Sequence, residues 1–339
     1  MRRCIQLAKN GRLHAAPNPM VGAVIVHNNR IIGEGYHIKN GQSHAEVNAI
    51  RSVKERALLA HSTIFVSLEP CSHMGKTPPC AELIIKSGIP HVVIGCQDPF
   101  SKVAGNGIRR LKEAGILVEV GILEQESLSL IKRFYTFHAN KRPYILLKWA
   151  ESKDGFIDKH RNSGVPLRIS SPLSTLVTHK RRAEVNAILV GRKTAQLDNP
   201  SLNVRHWSGE NPIRLVIDKE LSLSKELNLF DGSTQTYVFT NKTEISNNTN
   251  LSYIKLNFEQ DILPQLLNFL YEIEIQSLLV EGGAQLHSSF IEADLWDEIH
   301  IEKGELIIND GVKAATAPTN QAAKLKKHFG ANFFVYKNH

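Results

Sequence analysis

Two short stretches of the chain contain residue types that bind metals and transfer protons. "SHAEVNAI" holds His44 and Glu46, and "LEPCSHMGKTPPC" holds Cys71 and Cys80. One imidazole and two thiolates leave the fourth tetrahedral position of Zn²⁺ open, which is typical of a catalytic site and not of a structural one. Bound zinc acidifies water, and Glu46, which is not a ligand, could then carry protons to a leaving amine.

The order of these four residues is the signature of zinc-dependent nucleobase deaminases, in which His-x-Glu is followed by Pro-Cys and a second Cys. Eight residues separate Cys71 from Cys80, whereas the general signature has two. Cys80 also begins a predicted helix, and we expect the helix dipole to lower the pKa of its thiol. The alternatives are a structural zinc site, or two core cysteines with a surface histidine.

Other polar residues near these stretches could contact a substrate. His73 and Lys76 lie between the two cysteines, where they could hold a phosphate. Asn18 precedes the first predicted strand and could hydrogen-bond the edge of a base, and His37 precedes the metal-binding His44. Each has a simpler alternative: an exposed lysine or histidine, or an asparagine that stabilises its own turn.

Composition is that of a soluble globular protein. The 339 residues are 42% hydrophobic and 22% charged, and no apolar run is long enough to span a membrane. This length predicts two domains. Four cysteines are too few for a disulfide scaffold, so we expect a cytoplasmic protein.

The N-terminal segment predicts a helix and no secretory signal. It is basic and has no apolar core of the kind that a signal peptide needs. Cys4, Ile5, Leu7 and Ala8 lie on one face of a helix that begins at the first residue. Because no capping residue precedes it, we expect either a start codon placed a few residues late or a frayed first turn.

Charge is distributed unevenly between the two halves. Residues 1–142 carry 19 Lys and Arg against 10 Asp and Glu, and residues 143–339 carry 22 against 23. A basic first half indicates an anionic partner, either a phosphorylated small molecule or a nucleic acid. The alternative is a scatter of surface lysines without a common partner.

Strand and helix patterns alternate through both halves, which predicts an α/β fold. A linker near residues 141–143 separates them, and the polar segment 241–250 is a predicted loop. For the first half we predict strands at 20–29, 30–38, 62–70, 91–99 and 116–121, with helices at 44–59, 80–88 and 105–115. The second half again alternates, at 144–157, 187–195, 213–219, 236–241 and 276–293.

The quoted motifs carry a resemblance to a known family. "APNPMVGAVIV", "GEGYH", "HAEV", "LEPCSHMGKTPPC", "LKWAESKDGFI", "AILVGRKTAQLDNPSLNVR" and "VEGGAQLHSSFIE" are similar to the bifunctional deaminase–reductase of riboflavin biosynthesis. The similarity covers nearly the whole chain in that family's domain order. It implies a cytidine-deaminase-like α/β/α sandwich over residues 1–142 and a dihydrofolate-reductase-like α/β domain over residues 143–339.

The resemblance also implies the two reactions and their cofactors. The first domain would use Zn²⁺ to deaminate 2,5-diamino-6-ribosylamino-4(3H)-pyrimidinone 5′-phosphate. The second would use NADPH to reduce the ribosylamino group of the product to ribitylamino. The partner would be this phosphorylated pyrimidine, with no nucleic acid or membrane, and the chain would form a dimer or tetramer of identical subunits.

The family's functional residues can be carried over to matching positions. For the deaminase, the zinc ligands would be His44, Cys71 and Cys80, with Glu46 as proton carrier, and the substrate contacts Asn18, His37, His73 and Lys76. For NADPH, they would be Ala150, Thr194, Asp198, Gly283, Ala284, Gln285, Leu286, His287, Ser288 and Ser289. For the reductase substrate, they would be Arg182, Leu202, Arg205 and Glu281.

The physical chemistry of the reductase residues agrees in part. A strand enters the Gly282–Gly283 turn before a helix, so backbone N–H groups there could face a diphosphate. Arg182 and Arg205 could bind a phosphate; the alternative for each is a solvated surface arginine. Lys148 and Asp154 are weaker candidates for proton transfer near the ribose. No G-x-G-x-x-G turn is present, so the nicotinamide cofactor rests on the resemblance.

Two segments depart from the family pattern. "PLRIS", which includes Pro166 and Arg168, stands where a Ser-x-Trp-Ile-Thr pattern is expected. Arg168 could lie over the adenine or meet the 2′-phosphate of the cofactor. The tail after residue 301 is less apolar than the expected strand.

Two rival functions remain open on the sequence alone. One is a zinc deaminase of RNA or of a free nucleobase, with a non-catalytic second domain. The basic first half favours it, but the absence of aromatic residues interleaved with basic patches argues against it. The other is an enzyme with one activity, in which the altered "PLRIS" segment has disabled the reductase.

Overall fold

The chain divides into two compact units, Met1–Lys141 and Arg142–His339. The predicted boundary, after residue 142, lies one residue away. The computed structural model describes residues 1–72, 78–99, 105–161, 164–318 and 322–338. His73 and Lys76 lie outside these ranges.

The first unit is built on a five-stranded sheet with the order β2-β1-β3-β4-β5. β1 is antiparallel to β2 and β3, whereas β3, β4 and β5 run parallel. The strands are β1 (Gly22–His27), β2 (Arg30–Tyr36), β3 (Thr63–Leu68), β4 (His91–Cys96) and β5 (Leu117–Val120). The helices are α1 (Arg2–Ala8), α2 (Ala45–Ser52), α3 (Cys80–Lys86), α4 (Asn106–Glu113) and α5 (Glu124–Asn140).

Helices cover both faces of this sheet. Successive side chains of a strand point to opposite faces. Ile25 of β1 therefore packs in one cluster with residues of α2, α3 and α4, while Val24 packs against α1. Leu130 and Ile131 of α5 join α1 on that second face. The predicted α/β/α sandwich is confirmed.

Local predictions in the first unit hold except for the length of α2. Asn28 and Asn29 form the turn between the first two predicted strands, both with positive φ, as a tight two-residue hairpin requires. The helix predicted over residues 44–59 ends at Ser52, and a separate 3₁₀ helix covers Arg56–His61. The Ser52 hydroxyl donates to the Ala49 carbonyl and accepts from the Glu34 N–H, which favours an end to the helix.

The N-terminal helix is confirmed. α1 has Met1 at its N-cap without a side-chain capping hydrogen bond, and it buries Cys4, Ile5, Leu7 and Ala8 as the spacing predicts.

The second unit contains a nine-stranded sheet with the order β11-β10-β9-β8-β12-β6-β13-β16-β15. Its strands are parallel except for β16, which is antiparallel to β13 and β15. The helices are α6 (Pro172–Ala183), α7 (Arg192–Asp198), α8 (Ile262–Glu272) and α9 (Ala284–Glu292). The strands of this sheet are β6 (Tyr144–Glu151), β8 (Ala187–Gly191), β9 (Ile213–Ile217), β10 (Thr236–Thr240), β11 (Leu251–Lys255), β12 (Ser277–Val280), β13 (Glu298–Lys303), β15 (Lys324–His328) and β16 (Ala331–Lys337). Outside the sheet, β7 (Phe156–Asp158) pairs with β14 (Val312–Lys313).

The order of the strands creates a crevice in this sheet. Strands β8 to β11 progress toward one edge, and β12 then returns between β8 and β6. β8 continues directly into α7 and β12 into α9, both at the carboxyl ends of parallel strands. Open α/β sheets bind their ligands at such a reversal of strand order.

The polar segment after residue 301, where an apolar strand is expected, has little strand structure. β13 ends at Lys303, and in the described residues that follow, up to 318, only Val312–Lys313 (β14) form a strand. The edge of the sheet is formed further along the chain by β15, whose residues are all exposed and whose lysines discourage pairing with other chains. None of the helices in the described ranges is long and apolar enough to cross a membrane.

Candidate active sites

The predicted zinc ligands come together at one end of the first unit. His44 is the N-cap residue of α2, Cys71 follows β3, and Cys80 is the first residue of α3. Their ligand atoms all lie within 4.8 Å of one another. The His44 Nδ1 is 3.6 Å from the Cys71 sulfur and 3.3 Å from the Cys80 sulfur. One imidazole and two thiols with this spacing fit a Zn²⁺ ion with an open coordination position.

The two cysteine thiols differ strongly in acidity. A hydrogen bond from the Cys80 thiol, and a second from His44, lower the pKa of Cys71 to about 4. The same bond to Cys71, together with burial, raises the pKa of Cys80. The dipole of α3, which we expect to lower the pKa of Cys80, is opposed by this hydrogen bond and by burial.

Glu46 lies in the first turn of α2, next to these ligands. Its side chain is buried, and burial raises its pKa to about 7, with a further contribution from the Cys71 thiolate. A carboxyl group with a pKa near neutral can both accept and donate a proton. This is the behaviour that a proton carrier at the metal site requires.

Asn18 and His37 form a pair beside the metal site. The His37 Nδ1 lies 3.2 Å from the Ser43 carbonyl, so that nitrogen carries the proton, and its Nε2 accepts from the Asn18 amide at 3.1 Å. The His37 ring is almost completely buried and meets the His44 ring edge-on at 5.4 Å. Burial lowers the pKa of His37. The neutral ring therefore orients Asn18, whose amide oxygen is the atom of the pair that can accept from a ligand.

A cleft of about 910 Å³ lies in the second unit at the carboxyl ends of β6, β8 and β12. This volume is in the upper part of the range for small-molecule pockets. Most of the predicted functional residues of this unit line it: Lys148, Ala150, Arg168, Thr194, Asp198, Glu281, Gly283, Ala284, Gln285, Leu286, His287 and Ser289. Ser288, Arg182, Leu202, Arg205 and Asp154 are not among the described residues that line it.

The glycine turn at the centre of the cleft brings β12 and α7 into close contact. A Cβ atom at Gly282 would lie 2.8 Å from the Thr194 methyl group, and Gly283 has a φ of +79° before α9. Both positions therefore require glycine. The backbone of this turn, with the cations Arg168 and Lys193 on the wall of the cleft, suits a diphosphate. The residues present thus fit a dinucleotide such as NADPH.

Arg182 and Glu281 form a buried ion pair. The Arg182 Nε and Nη2 donate to the two Glu281 oxygens at 3.1 and 2.6 Å, and Nη1 donates to the Asn203 carbonyl. The bidentate edge of Arg182 is therefore directed at a carboxylate rather than open to a phosphate. Arg205 is exposed and bonded to the Asn203 side chain at 2.6 Å, so its guanidinium is the more accessible of the two.

Other candidates are used within the fold. Leu202 is buried in the core, so only its backbone could meet a ligand. The Asp154 carboxylate accepts hydrogen bonds from the Ser152 hydroxyl and from the backbone N–H groups of Ile308 and Asn309. These bonds, chiefly the one from Ser152, lower the pKa of Asp154 to about 2. Asp198 is paired with Arg161, which also bonds Asp158 at 2.6 Å.

Burial changes the acidity of two residues that line the cleft. It lowers the pKa of Lys148, against the opposing charges of Glu281 and Glu302. It also lowers the pKa of His287 to about 4, and this ring donates from Nε2 to the Val280 carbonyl at 3.1 Å. Lys148 is therefore easier to deprotonate than an exposed lysine.

Two residues near the sites were missed in the sequence. Glu69 is buried in the "LEPC" segment and accepts four backbone hydrogen bonds. Arg161 donates hydrogen bonds to the carboxylates of Asp158 and Asp198 at the cleft. A glutamate directly before Pro-Cys could have been noted from the motif, whereas no local signal distinguishes Arg161.

Two family models match the chain. Residues 1–96 match the cytidine and deoxycytidylate deaminase zinc-binding region, and residues 143–326 match the RibD C-terminal domain. The first match contains all of the predicted zinc ligands, and the second contains the cleft residues named above.

Known relatives match nearly the full length of the chain. The riboflavin biosynthesis protein RibD of Bacillus amyloliquefaciens is 39% identical, over 91% of this chain and 84% of the relative. RibD of Aquifex aeolicus is 37% identical, over 92% and 88%. A solved Thermotoga maritima diaminohydroxyphosphoribosylaminopyrimidine deaminase/5-amino-6-(5-phosphoribosylamino)uracil reductase matches with a TM-score of 0.89 and 35% identity, over 100% and 97%. Acinetobacter baumannii RibD matches with a TM-score of 0.88 and 31% identity, over 99% and 97%.

Proposed function

Because the chain belongs to the RibD family of riboflavin-biosynthesis proteins, we propose that its two units act in turn on one phosphorylated pyrimidine. The protein is a bifunctional enzyme, a zinc-dependent deaminase and an NADPH-dependent reductase. The first unit deaminates 2,5-diamino-6-ribosylamino-4(3H)-pyrimidinone 5′-phosphate. The second reduces the ribosylamino group of 5-amino-6-(5-phosphoribosylamino)uracil to ribitylamino.

The observation that supports the deaminase assignment is that the ligand atoms of His44, Cys71 and Cys80 lie within 4.8 Å of one another, beside a buried Glu46. Zn²⁺ held by these three residues would supply Lewis-acid activation of water. The Glu46 carboxylate would accept a proton from the attacking water and deliver it to the amino nitrogen that leaves. Burial supports this role, because it keeps the Glu46 pKa at about 7, where both protonation states are accessible.

We assign recognition of the pyrimidine to Asn18. The Asn18 amide nitrogen donates to the His37 ring, which orients the amide so that its oxygen can accept a hydrogen bond from an N–H group on the base edge. We assign the substrate phosphate to His73 and Lys76, which the motif brings next to the cysteines. The net charge of the first 142 residues, with 19 basic against 10 acidic side chains, is consistent with an anionic substrate.

The reductase site is assigned to the cleft of the second unit. NADPH supplies the hydride. The backbone of Gly283 and Ala284 at the start of α9 would hold the diphosphate, with Thr194 packed against the same turn. Lys148, whose pKa burial lowers, donates the proton that the opening of the ribosyl ring requires at its ring oxygen. Arg205 is assigned to the substrate phosphate, and the Arg182–Glu281 pair to the substrate hydroxyls.

Two finer statements belong to the proposal as well. The chain forms a dimer or tetramer of identical subunits and works in the cytoplasm. Sedimentation analysis of the purified protein would test the first, and microscopy of a fluorescent fusion in the host cell would test the second.

One mass-spectrometric assay tests both activities. Zinc-loaded protein is incubated with the diaminopyrimidinone ribosyl phosphate, with and without NADPH, and the mass of the base-bearing species is followed. The expected result is replacement of an amino group by oxygen in both samples, and gain of two hydrogens only with NADPH. Deamination without reduction would show that the "PLRIS" departure has disabled the second unit. An unchanged substrate would overturn the proposal, and RNA binding that weakens steeply with salt would favour the rival deaminase.

A further inference from the structure

A buried carboxylate beside the metal site makes contacts that the deaminase reaction does not use. Glu69 is 3% exposed and lies two residues before Cys71. Its two oxygens accept hydrogen bonds of 2.9–3.3 Å from four backbone N–H groups, those of Asp98, Gly105, Gly107 and Ile108. Three of these donors belong to the start of α4 or to its N-cap residue. Glu69 therefore joins the end of β3 to the start of α4.

A second contact joins the same two segments. A Cβ atom at Gly107 would lie 2.0 Å from the Pro70 carbonyl oxygen, so the backbone of α4 touches the backbone of Pro70 directly. Pro70 has no N–H group of its own and cannot donate a hydrogen bond. Its place is therefore set by the packing against Gly107 and by the side chain of the preceding Glu69.

Cys71 is held from its other side by α3. The Cys71 carbonyl accepts from the Ala81 N–H at 3.1 Å, and the Cys71 sulfur accepts from the Cys80 N–H at 3.3 Å. The residue thus lies between two helix starts: α3 holds it directly, and α4 holds it through Glu69 and Pro70. A shift of the turn relative to α4 would move the Cys71 sulfur relative to His44 and Cys80.

We propose that Glu69 is a positioning residue for the metal site: it fixes the Pro70–Cys71 turn against α4 and so sets the place of the Cys71 ligand. The inference rests on the zinc site of the proposed function. Residues that orient metal ligands typically change metal affinity or activity by about 10- to 100-fold when they are replaced. Glu69 contacts neither the metal nor the substrate in this scheme.

The test compares Glu69→Gln with a matched control, Glu82→Gln. Glutamine keeps the size of Glu69 but replaces one oxygen by an NH₂ group, which faces two N–H donors and cannot accept from them. Glu82 also connects α3 with α4, through an exposed ion pair with Arg110 at 3.0 Å, but within the described residues it makes no hydrogen bond to Pro70 or Cys71. Both variants and the parent protein are loaded with Co²⁺, whose absorption bands report on thiolate ligands and on tetrahedral geometry.

Glu69→Gln should alter the cobalt bands and release zinc to a chromophoric chelator about 10- to 100-fold faster than the parent protein. Glu82→Gln should match the parent in both. Reductase activity should be unchanged in each variant, because both substitutions lie in the first unit, and a circular dichroism spectrum like that of the parent protein would show that the first unit has folded. Parental cobalt bands and zinc release in Glu69→Gln would overturn the proposal. So would lower stability of the first unit with unaltered cobalt bands, since Glu69 would then be structural only.

A second variant covers the case in which Glu69→Gln does not fold. Gly107→Ala pushes on the Pro70 carbonyl from α4, and it should change the cobalt bands as well. Unaltered bands in Gly107→Ala would overturn the link between α4 and Cys71. The measurements also separate this inference from the deaminase assignment. If the parent protein binds cobalt but does not deaminate the substrate, the deaminase assignment alone is refuted. If the parent protein is active and Glu69→Gln has the same cobalt bands and zinc release, the inference about Glu69 alone is refuted.

Discussion

The guanidinium of Arg182 and the carboxylate of Glu281 are joined by two hydrogen bonds, of 3.1 and 2.6 Å, inside the second unit. Their side chains are only 11% and 8% exposed. Burial opposes the charge of Glu281, but the adjacent Arg182 more than compensates and holds its pKa below the usual value. Two charges buried together are stable as a pair, and each is unfavourable without the other.

Replacement of Glu281 by glutamine should therefore destabilise the second unit. Removing one partner of a buried ion pair typically lowers the free energy of unfolding by about 3–5 kcal/mol. All three tryptophans of the chain, Trp149, Trp207 and Trp296, belong to this unit, so denaturant titration followed by tryptophan fluorescence reports on it selectively. The reductase should lose activity while the deaminase keeps it.

Glu220→Gln is the matched control for this prediction. Glu220 is paired with Lys242 at 3.5 Å, and both side chains are about half exposed. An exposed pair contributes roughly 0–1 kcal/mol, so this variant should unfold like the parent. Equal stability of Glu281→Gln and Glu220→Gln would contradict the importance assigned to the buried pair.

Acid should destabilise the second unit through its buried histidines. Burial lowers the pKa values of His179, His287 and His300 to about 4, below the ordinary histidine value of 6.5. Between these pH values the unfolded chain binds protons that the folded chain does not, so stability falls as the pH falls from about 6.5 to about 4. Unfolding measured by tryptophan fluorescence at a series of pH values should show this slope.

A single substitution tests the origin of that slope. His300→Gln keeps an N–H donor for Glu298, which His300 contacts at 2.9 Å, but removes one titrating group. The pH dependence should then correspond to one proton fewer over the same range. An unchanged slope would mean that the folded protein already protonates His300 in this range.

The metal site was predictable because its information is local. His44, Cys71 and Cys80 each lie at the end of a helix or strand, and their order in the chain is by itself enough to indicate the chemistry. The α/β architecture followed from alternating strands and helices in the same way. The early end of α2 at Ser52 did not, because the residues after it have no strong helix breaker and their conformation depends on the packing of the sheet.

Ion pairs between residues far apart in the chain could not be predicted from the sequence. Arg182 and Glu281 are 99 positions apart, and each could be assigned to a ligand on its own, but only the fold shows that they bind each other. Glu69 was also missed, since the four partners that it has among the described residues are backbone groups, which carry no sequence signal. Buried charges satisfied by distant groups are the features for which a linear pattern gives least guidance.

Arg168 tests the preference for NADPH over NADH. It is exposed, lines the cleft, and lies in the "PLRIS" segment that departs from the family. If its guanidinium meets the 2′-phosphate, Arg168→Ala should raise the KM for NADPH about 10- to 100-fold, the effect of a hydrogen bond to a charged group. The KM for NADH, which has no such phosphate, should change little. Lys159→Ala, at an exposed residue that does not line the cleft, is the control, and an unchanged NADPH KM in Arg168→Ala would eliminate the assignment.

Glu46 and the zinc ligands should be separable by experiment. Chelation of zinc should abolish deamination and leave NADPH-dependent reduction intact, because the ligands His44, Cys71 and Cys80 all belong to the first unit. Glu46→Gln should keep its zinc, since the carboxylate is not a ligand, but lose about 10²- to 10⁴-fold in the deaminase kcat, the usual contribution of a general acid–base.

Metal content by atomic emission, with the two activities measured on one sample, distinguishes these outcomes. Glu55→Gln, at an exposed residue soon after α2, should behave like the parent protein. If Glu46→Gln lost zinc together with activity, the carboxylate would be supporting the metal rather than moving protons. If it kept both zinc and full activity, the proton would have to travel by another group, and the deaminase mechanism proposed for Glu46 would fail.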